Sequence, residues 1–238
     1  MATYVLVHGG GHGGWCYQPV ARILRAAGHD VYTPTLTGLG ERSHLLRPDI
    51  DLDMQIEDVV QVLKFEDLHD VILAGHSYGG MVITGVADRA LDRIAWLVFL
   101  DASTPKNGES LADRAPPMKV AYEEVRTVDG VEVVLGPDSK TNPFLGVTDP
   151  EQLAWMTPKL TPHPWKCFSQ PISLSNEAAV RALPRASINC TPTLKAKPPE
   201  TRAEALDADR VWEIDTGHDL MITEPEATAA MLLELAGG

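Results

Sequence analysis

The chain contains no run of five or more basic residues, and its 20 lysines and arginines stand against 33 acidic residues, a net charge of −13 over 238 residues. A surface of that sign repels phosphate backbones and anionic headgroups, so neither nucleic acid nor a membrane is an expected partner. Cysteine is scarce: Cys16, Cys167 and Cys190 are odd in number, far apart and without C-x-x-C spacing. That argues against a disulfide framework and a zinc site and leaves each as a small buried hydrophobe. Long apolar stretches are missing too; none approaches the ~20 residues of a membrane span. The opening "MATYVLVHGG" enters a β-branched run at once, with no basic leader region, so a cytoplasmic protein is expected. No internal repeat or low-complexity tract breaks the chain. What remains is 44% hydrophobic, enough for one domain, 1–238, with one sizeable core.

Apolar runs and amphipathic stretches alternate along the chain. Strands are expected at 4–9, 30–36, 70–77, 94–102, 186–191 and 210–215, and helices at 19–28, 56–67, 78–91 and 224–236. Continuous apolar strands separated by helices imply an α/β fold with a mostly parallel sheet covered on both faces. Between about 105 and 180 the texture turns to Pro, Gly and charge, with Phe144, Trp155, Trp165 and Phe168 embedded. That segment reads as an insertion.

The run "VILAGHSYGG" (71–80) ends a buried strand on a serine among glycines. Gly75, Ser77 and Gly79 satisfy G-x-S-x-G in the strand-turn-helix setting of a nucleophile elbow, which makes Ser77 the candidate nucleophile. A serine hydroxyl needs a base, and His218, in the loop between the last strand and last helix, is best placed. His76, pointing away within the elbow, and His163, in the insertion, lack that placement. An orienting carboxylate is expected at a strand end between Ser77 and His218. Asp101 closes the otherwise apolar "VFLDAS", where an unpaired carboxylate would be expensive. The alternatives for Asp101 are a capping role in "DASTPKNGES", and for the acid, Glu200 or Asp207.

The loop "HGGGHGGW" (8–15) follows the first strand, and backbone N–H groups of Gly10 and of Tyr78 are the candidate oxyanion donors. Its Gly9, Gly11 and Gly14 also spell a dinucleotide fingerprint. Against a dinucleotide, Trp15 and Cys16 open no helix at once and no acidic residue ends the second strand. His8 and His12 resemble a metal pair, but without a nearby carboxylate the spacing is weak. No metal or cofactor is expected.

These residues resemble the α/β-hydrolase superfamily, in the branch of plant methyl esterases, the salicylate-binding esterase and plant hydroxynitrile lyases. The matching stretches are "VLVHGGGHGGW", "GHSYGG", "FLDASTPKNGESL" and "GHDLMITEP", while "PTLTGLGERSHLL" looks like bacterial members. The resemblance implies an α/β-hydrolase fold, Ser77 as nucleophile, His218 as base, the Gly10 and Tyr78 amides as oxyanion hole, and a cap at 105–180. The plant acid follows a "CT" like that of Cys190 and Thr191, where this chain has Pro192 and Thr193, and that departure favours Asp101. The lyases carry a threonine and a lysine where this chain has Gly9 and Asp219; an aspartate there would repel departing cyanide.

The expected function is hydrolysis of a small carboxylic ester, the one partner expected, with a homodimer left open. His12, Trp155, Met156, Trp165 and Phe168 are the expected substrate-binding residues, the aromatics forming a roof suited to an aromatic or alicyclic ester. The alternatives are a lyase or other non-hydrolytic use of the site, and a ligand-binding protein with a vestigial triad.

Overall fold

The computed structural model describes residues 1–115, 123, 125–135 and 145–237. Six strands form one parallel sheet: β1 (Thr3–Val7), β2 (Asp30–Tyr32), β3 (Val71–His76), β4 (Ile94–Leu100), and, beyond the insertion, Arg185–Cys190 and Arg210–Ile214. Their order is β2-β1-β3-β4 followed by those last two. The chain leaves β1 toward one edge and β3 toward the other, so the crevice between their carboxyl ends is the topological switch point, where such sheets bind ligands.

The continuous apolar strands are explained by two-sided burial. Val5, Val7, Val71 and Leu73 enter one core cluster, and Tyr4, Leu6, Ile72 and Ala74 the other. Helices α1 (Gln18–Ala26) and Pro225–Leu233 pack on one another and contribute Val20, Leu24, Ala229 and Leu232 to the second cluster. Helices α2 (Leu52–Phe65) and α3 (Gly79–Arg89) bring Ile56, Val59, Val82 and Val86 to the first.

Several expected boundaries move for physical reasons. The second strand stops at Tyr32, because beyond it the backbone turns to side chains: Leu36 N–H donates to His8 Nε2 and Thr37 N–H to Asp58. Helix α2 begins at Leu52 because the Asp51 carboxylate caps it, accepting from Met54 N–H at 3.0 Å. Trp15 and Cys16, expected to open no helix, lie in a 3₁₀ turn, Gly14–Tyr17, that runs directly into α1.

The expected insertion carries a small antiparallel sheet, Arg126–Val128, Val131–Val134 and His163–Pro164. Residues 116–122, 124 and 136–144, Phe144 among them, lie outside the described residues. Helices Thr191–Ala196 and Pro199–Leu206 follow the fifth strand of the parallel sheet.

Candidate active site

Ser77 occupies the turn between β3 and α3 with a backbone φ of +53°, in the left-handed region that an L-residue adopts only under constraint. The constraint is visible. Its N–H donates to Leu100 O and its carbonyl accepts from Ser103 N–H, which ties the elbow to the end of β4. A Cβ at Gly75 would stand 2.5 Å from the Gly79 carbonyl oxygen, and one at Gly79 would stand 2.7 Å from that of Val7. The two flanking glycines are therefore steric requirements of the elbow. Ser77 is partly exposed between buried His76 and Tyr78.

Asp101 leaves β4 with a φ of +44°, its N–H donating to Ile188 O at 2.7 Å. Its Oδ2 lies 2.6 Å from His218 Nδ1, and the Thr193 hydroxyl is 2.6 Å from both of its carboxylate oxygens. Burial pushes the Asp101 carboxyl up, but the hydrogen bond and charge of His218 outweigh it and hold the group below its ordinary value. The carboxylate is thus buried and paired, as its position at a strand end required. Glu200 and Asp207 stand elsewhere: Glu200 reaches Lys106, and Asp207 reaches Arg185.

His218 is held from several sides. His76, expected to point away, has its ring centroid 4.5 Å from that of His218 and places Nε2 3.0 Å from the His218 carbonyl oxygen. Cys190 Sγ donates to Gly217 O at 3.0 Å. The insertion crosses this loop where Gly146 meets Gly217; a Cβ on Gly146 would fall 2.3 Å from Gly217 Cα. Asp219 N–H donates to Leu145 O at 3.0 Å beside that crossing.

The glycine-rich loop packs against the elbow, since a Cβ on Gly9 would stand 2.9 Å from Ser77 Cβ. Tyr78 directly precedes the first residue of α3, so its amide belongs to the positive end of that helix. His163, set aside on sequence because it lies in the insertion, is brought onto this loop. Its Nδ1 accepts the Gly11 N–H at 3.2 Å and its ring packs on Tyr78 and Phe168 at 4.9 and 4.3 Å between centroids. Phe168 comes closest to Gly10, whose Cβ would lie 3.1 Å from its ring edge.

The remaining expected substrate-binding residues are placed otherwise. His12 does not face the elbow with a free nitrogen: Nδ1 lies 2.8 Å from Gly10 O, and Nε2 3.2 Å from Asp219 Oδ2. The ring nitrogens of His8 are likewise engaged by Gly9 O and Leu36 N–H, so the apparent metal pair is committed to the backbone and to Asp219. Trp155 packs edge-on against Trp15 at 5.2 Å, and Met156 is fully buried in the second core cluster. Trp165 borders a cleft of about 270 Å³ with Pro48, Ile50, Val131 and Lys166, a cleft that neither Ser77 nor His218 lines. The expected roof thus divides, leaving Phe168 beside the glycine loop. Asp219, expected to repel an anion, is buried with its charge turned to His12.

Thr193 and the Gly146–Gly217 crossing were not anticipated. The signal that could have found Thr193 is its place shortly after Cys190 and Thr191, where the plant members carry their acid and this chain has Pro192 and Thr193 instead. Among the described residues no group of three or more ligating side chains is placed to hold a metal ion, and no helix is long and apolar enough to cross a membrane.

The chain matches the model of the Alpha/beta hydrolase family over residues 4–231. It is 34% identical to the carbendazim hydrolyzing esterase of Nocardioides sp. (strain SG-4G) over 99% of this chain and 100% of that one. It is 27% identical to salicylic acid-binding protein 2 of Nicotiana tabacum, over 98% of this chain and 96% of the tobacco protein. Among solved structures, an extracellular alpha/beta-hydrolase from a Paenibacillus species, described as sharing structural and functional homology with the tobacco protein, aligns with a TM-score of 0.84. Its sequence is 28% identical, and 99% of each chain is covered.

Proposed function

The chain belongs to the alpha/beta hydrolase family, and from that premise we propose that it is a carboxylic ester hydrolase in which Ser77, His218 and Asp101 act as nucleophile, base and acid. The observation that carries the reading is the buried 2.6 Å contact between Asp101 and His218 Nδ1, at the strand ends that also present Ser77. With Nδ1–H donated to Asp101, Nε2 is left as the basic nitrogen.

Ser77 Oγ attacks the ester carbonyl carbon while His218 takes its proton. The carbonyl oxygen becomes an oxyanion received by the Gly10 and Tyr78 amides, the second strengthened by the α3 dipole. Collapse breaks the bond to the alcohol oxygen, which leaves with the proton from His218. Water, deprotonated by His218, then releases the acid and restores Ser77. The cycle draws on protein groups and water alone.

The substrate is a small ester, and names such as carbendazim hydrolyzing esterase and salicylic acid-binding protein support an aromatic portion. Phe168, whose ring lies beside Gly10, supports that reading as an aromatic surface for such a portion. Three free, buried cysteines fit a reducing, cytoplasmic setting.

A panel of small aromatic methyl esters tests the reading by product analysis. Acid and alcohol in equal amounts support hydrolysis. A carbonyl product from carbon–carbon cleavage of an aromatic cyanohydrin offered in parallel would make the enzyme a lyase, and tight binding of the esters without turnover would make it a receptor.

A further inference from the structure

Three histidines grip the backbone of the Gly9–Gly10–Gly11 run, and their partners fix their protonation. His8 Nδ1 lies 2.9 Å from Gly9 O while its Nε2 accepts Leu36 N–H at 3.1 Å. It is therefore neutral with its proton on Nδ1, and burial pushes its pKa down to about 3. His163 accepts Gly11 N–H at Nδ1, so its proton is on Nε2. His12 is different, because Gly10 O and the Asp219 carboxylate can each only accept. A ring facing acceptors at both nitrogens is satisfied as the imidazolium.

We propose that His12 is an imidazolium which, paired with Asp219, acts as a positioning residue, fixing the oxyanion-hole loop against the loop that carries His218. The inference rests on the assignment of Gly10 and His218 to the esterase mechanism. Glycine has the most backbone freedom of any residue, and three in succession would leave an oxyanion donor poorly aimed. Here each peptide plane is held. His8 holds the Gly9 carbonyl, and because a trans peptide sets C=O and N–H in opposite directions, the Gly10 N–H is directed away from it. The next plane is held at both edges, its carbonyl by His12 and its N–H by His163. Asp219 adjoins His218 in sequence, so one ion pair sets both loops at once.

The surroundings suit a cation at this place. Asp219 is fully buried and 3.2 Å away, and Trp15 stacks on the His12 ring at 5.5 Å, offering its π-face. The other titratable and charged neighbours are His76, edge-on at 6.1 Å, the histidines His8 and His163, Cys16 and Tyr17 near Asp219, and Lys159, whose Nζ lies 5.9 Å from the centroid of the Trp15 ring. Burial alone would lower the pKa of His12, but the charge and hydrogen bond of Asp219 carry it above its ordinary value. Asp219, despite its own burial, is held below its ordinary value by His12. A buried ion pair is commonly no more stabilising than packed apolar residues, so stability alone does not account for this one.

Nitrogen-15 NMR of the full-length chain labelled in its imidazoles tests the charge. His12 is expected to keep both ring nitrogens protonated at neutral pH, with its titration step displaced above that of an ordinary histidine. A ring with one bare nitrogen near neutral pH would overturn the proposal. Kinetics test the positioning. His12→Ala and Asp219→Ala are expected to lower kcat by about 10²-fold, with KM changed less than about threefold. Asp219→Asn, whose amide can donate to the bare Nε2 of a neutral His12, should recover most of that loss. Alanine variants that lose stability yet keep kcat would overturn it, leaving the pair a structural one. If those variants keep kcat while the unmodified chain hydrolyses esters, this proposal alone fails. If the unmodified chain hydrolyses none, the esterase reading fails and the positioning role with it.

Discussion

The Asp101 Oδ2 and the His218 Nδ1, 117 residues apart in the chain, lie 2.6 Å from one another with both side chains buried. In the proposed mechanism a carboxylate there fixes the tautomer of His218 and stabilises the imidazolium that would form as Ser77 is deprotonated. Asp101→Asn preserves shape but removes the charge. It is expected to reduce kcat by about 10³- to 10⁴-fold with little change in KM, read from steady-state kinetics on one ester. A loss under about tenfold would assign the acid to another residue.

Thr193 donates the hydroxyl proton that faces both Asp101 oxygens. Thr193→Val keeps the shape and removes that donor. A hydrogen bond to a buried charged group contributes about 1.5–3 kcal/mol, so chemical denaturation should register a loss of that order. Because the carboxylate is then less firmly aimed, kcat should fall as well, by less than in Asp101→Asn.

Acid lability should begin well above the carboxylate range. Burial pushes His8 and His76 down to about 3, below the ~6.5 of an unfolded histidine. Between those values the unfolded chain binds protons that the folded chain refuses, so the contribution of these two histidines is full above about pH 6.5 and falls as the pH drops below it. Each histidine contributes a slope of up to about 1.4 kcal/mol per pH unit. Asp101 and Asp219, held low in the fold, add stability that is present above about pH 4 and is lost on further acidification. Urea titrations at a series of pH values measure this directly. A stability unchanged between about pH 7 and about pH 5 would contradict neutral buried histidines.

The crossing of Gly146 over Gly217 brings the insertion against the loop that carries His218. Gly146 has a φ of +70° as well as a neighbour too near for a Cβ. Gly146→Ala should therefore lower stability by about 1–3 kcal/mol and also reduce kcat, because relief of the clash displaces the loop that carries His218. Wild-type kcat in a destabilised variant would show that the insertion yields instead of the base loop.

How legible each feature was in the sequence follows from how local its cause is. The β3 elbow needs only its own residues: an apolar strand, two glycines that cannot bear a Cβ, and a serine between them. Asp101 was legible because a carboxylate ending an apolar strand demands a partner. The pairing of His12 with Asp219 spans 207 residues, and nothing local marks either as the other's counter-ion, so His12 was read as facing substrate. Distance hid His163 in the same way. The two helices after the fifth strand of the sheet were not assigned for another reason: they are only six and eight residues long, and each carries a proline, Pro192 or Pro199, in its first turn, where the missing N–H has no partner to lose. The small sheet of the insertion has strands of two to four residues, too short for alternation to declare itself.

In the proposed mechanism Ser77 is a nucleophile driven by His218 and Asp101. Treatment of the full-length chain with a serine-directed fluorophosphonate, followed by intact-mass and peptide analysis, tests it most directly. One adduct is expected, on Ser77, absent from Ser77→Ala and formed far more slowly in Asp101→Asn. An unlabelled chain, or an adduct on another serine, would contradict it.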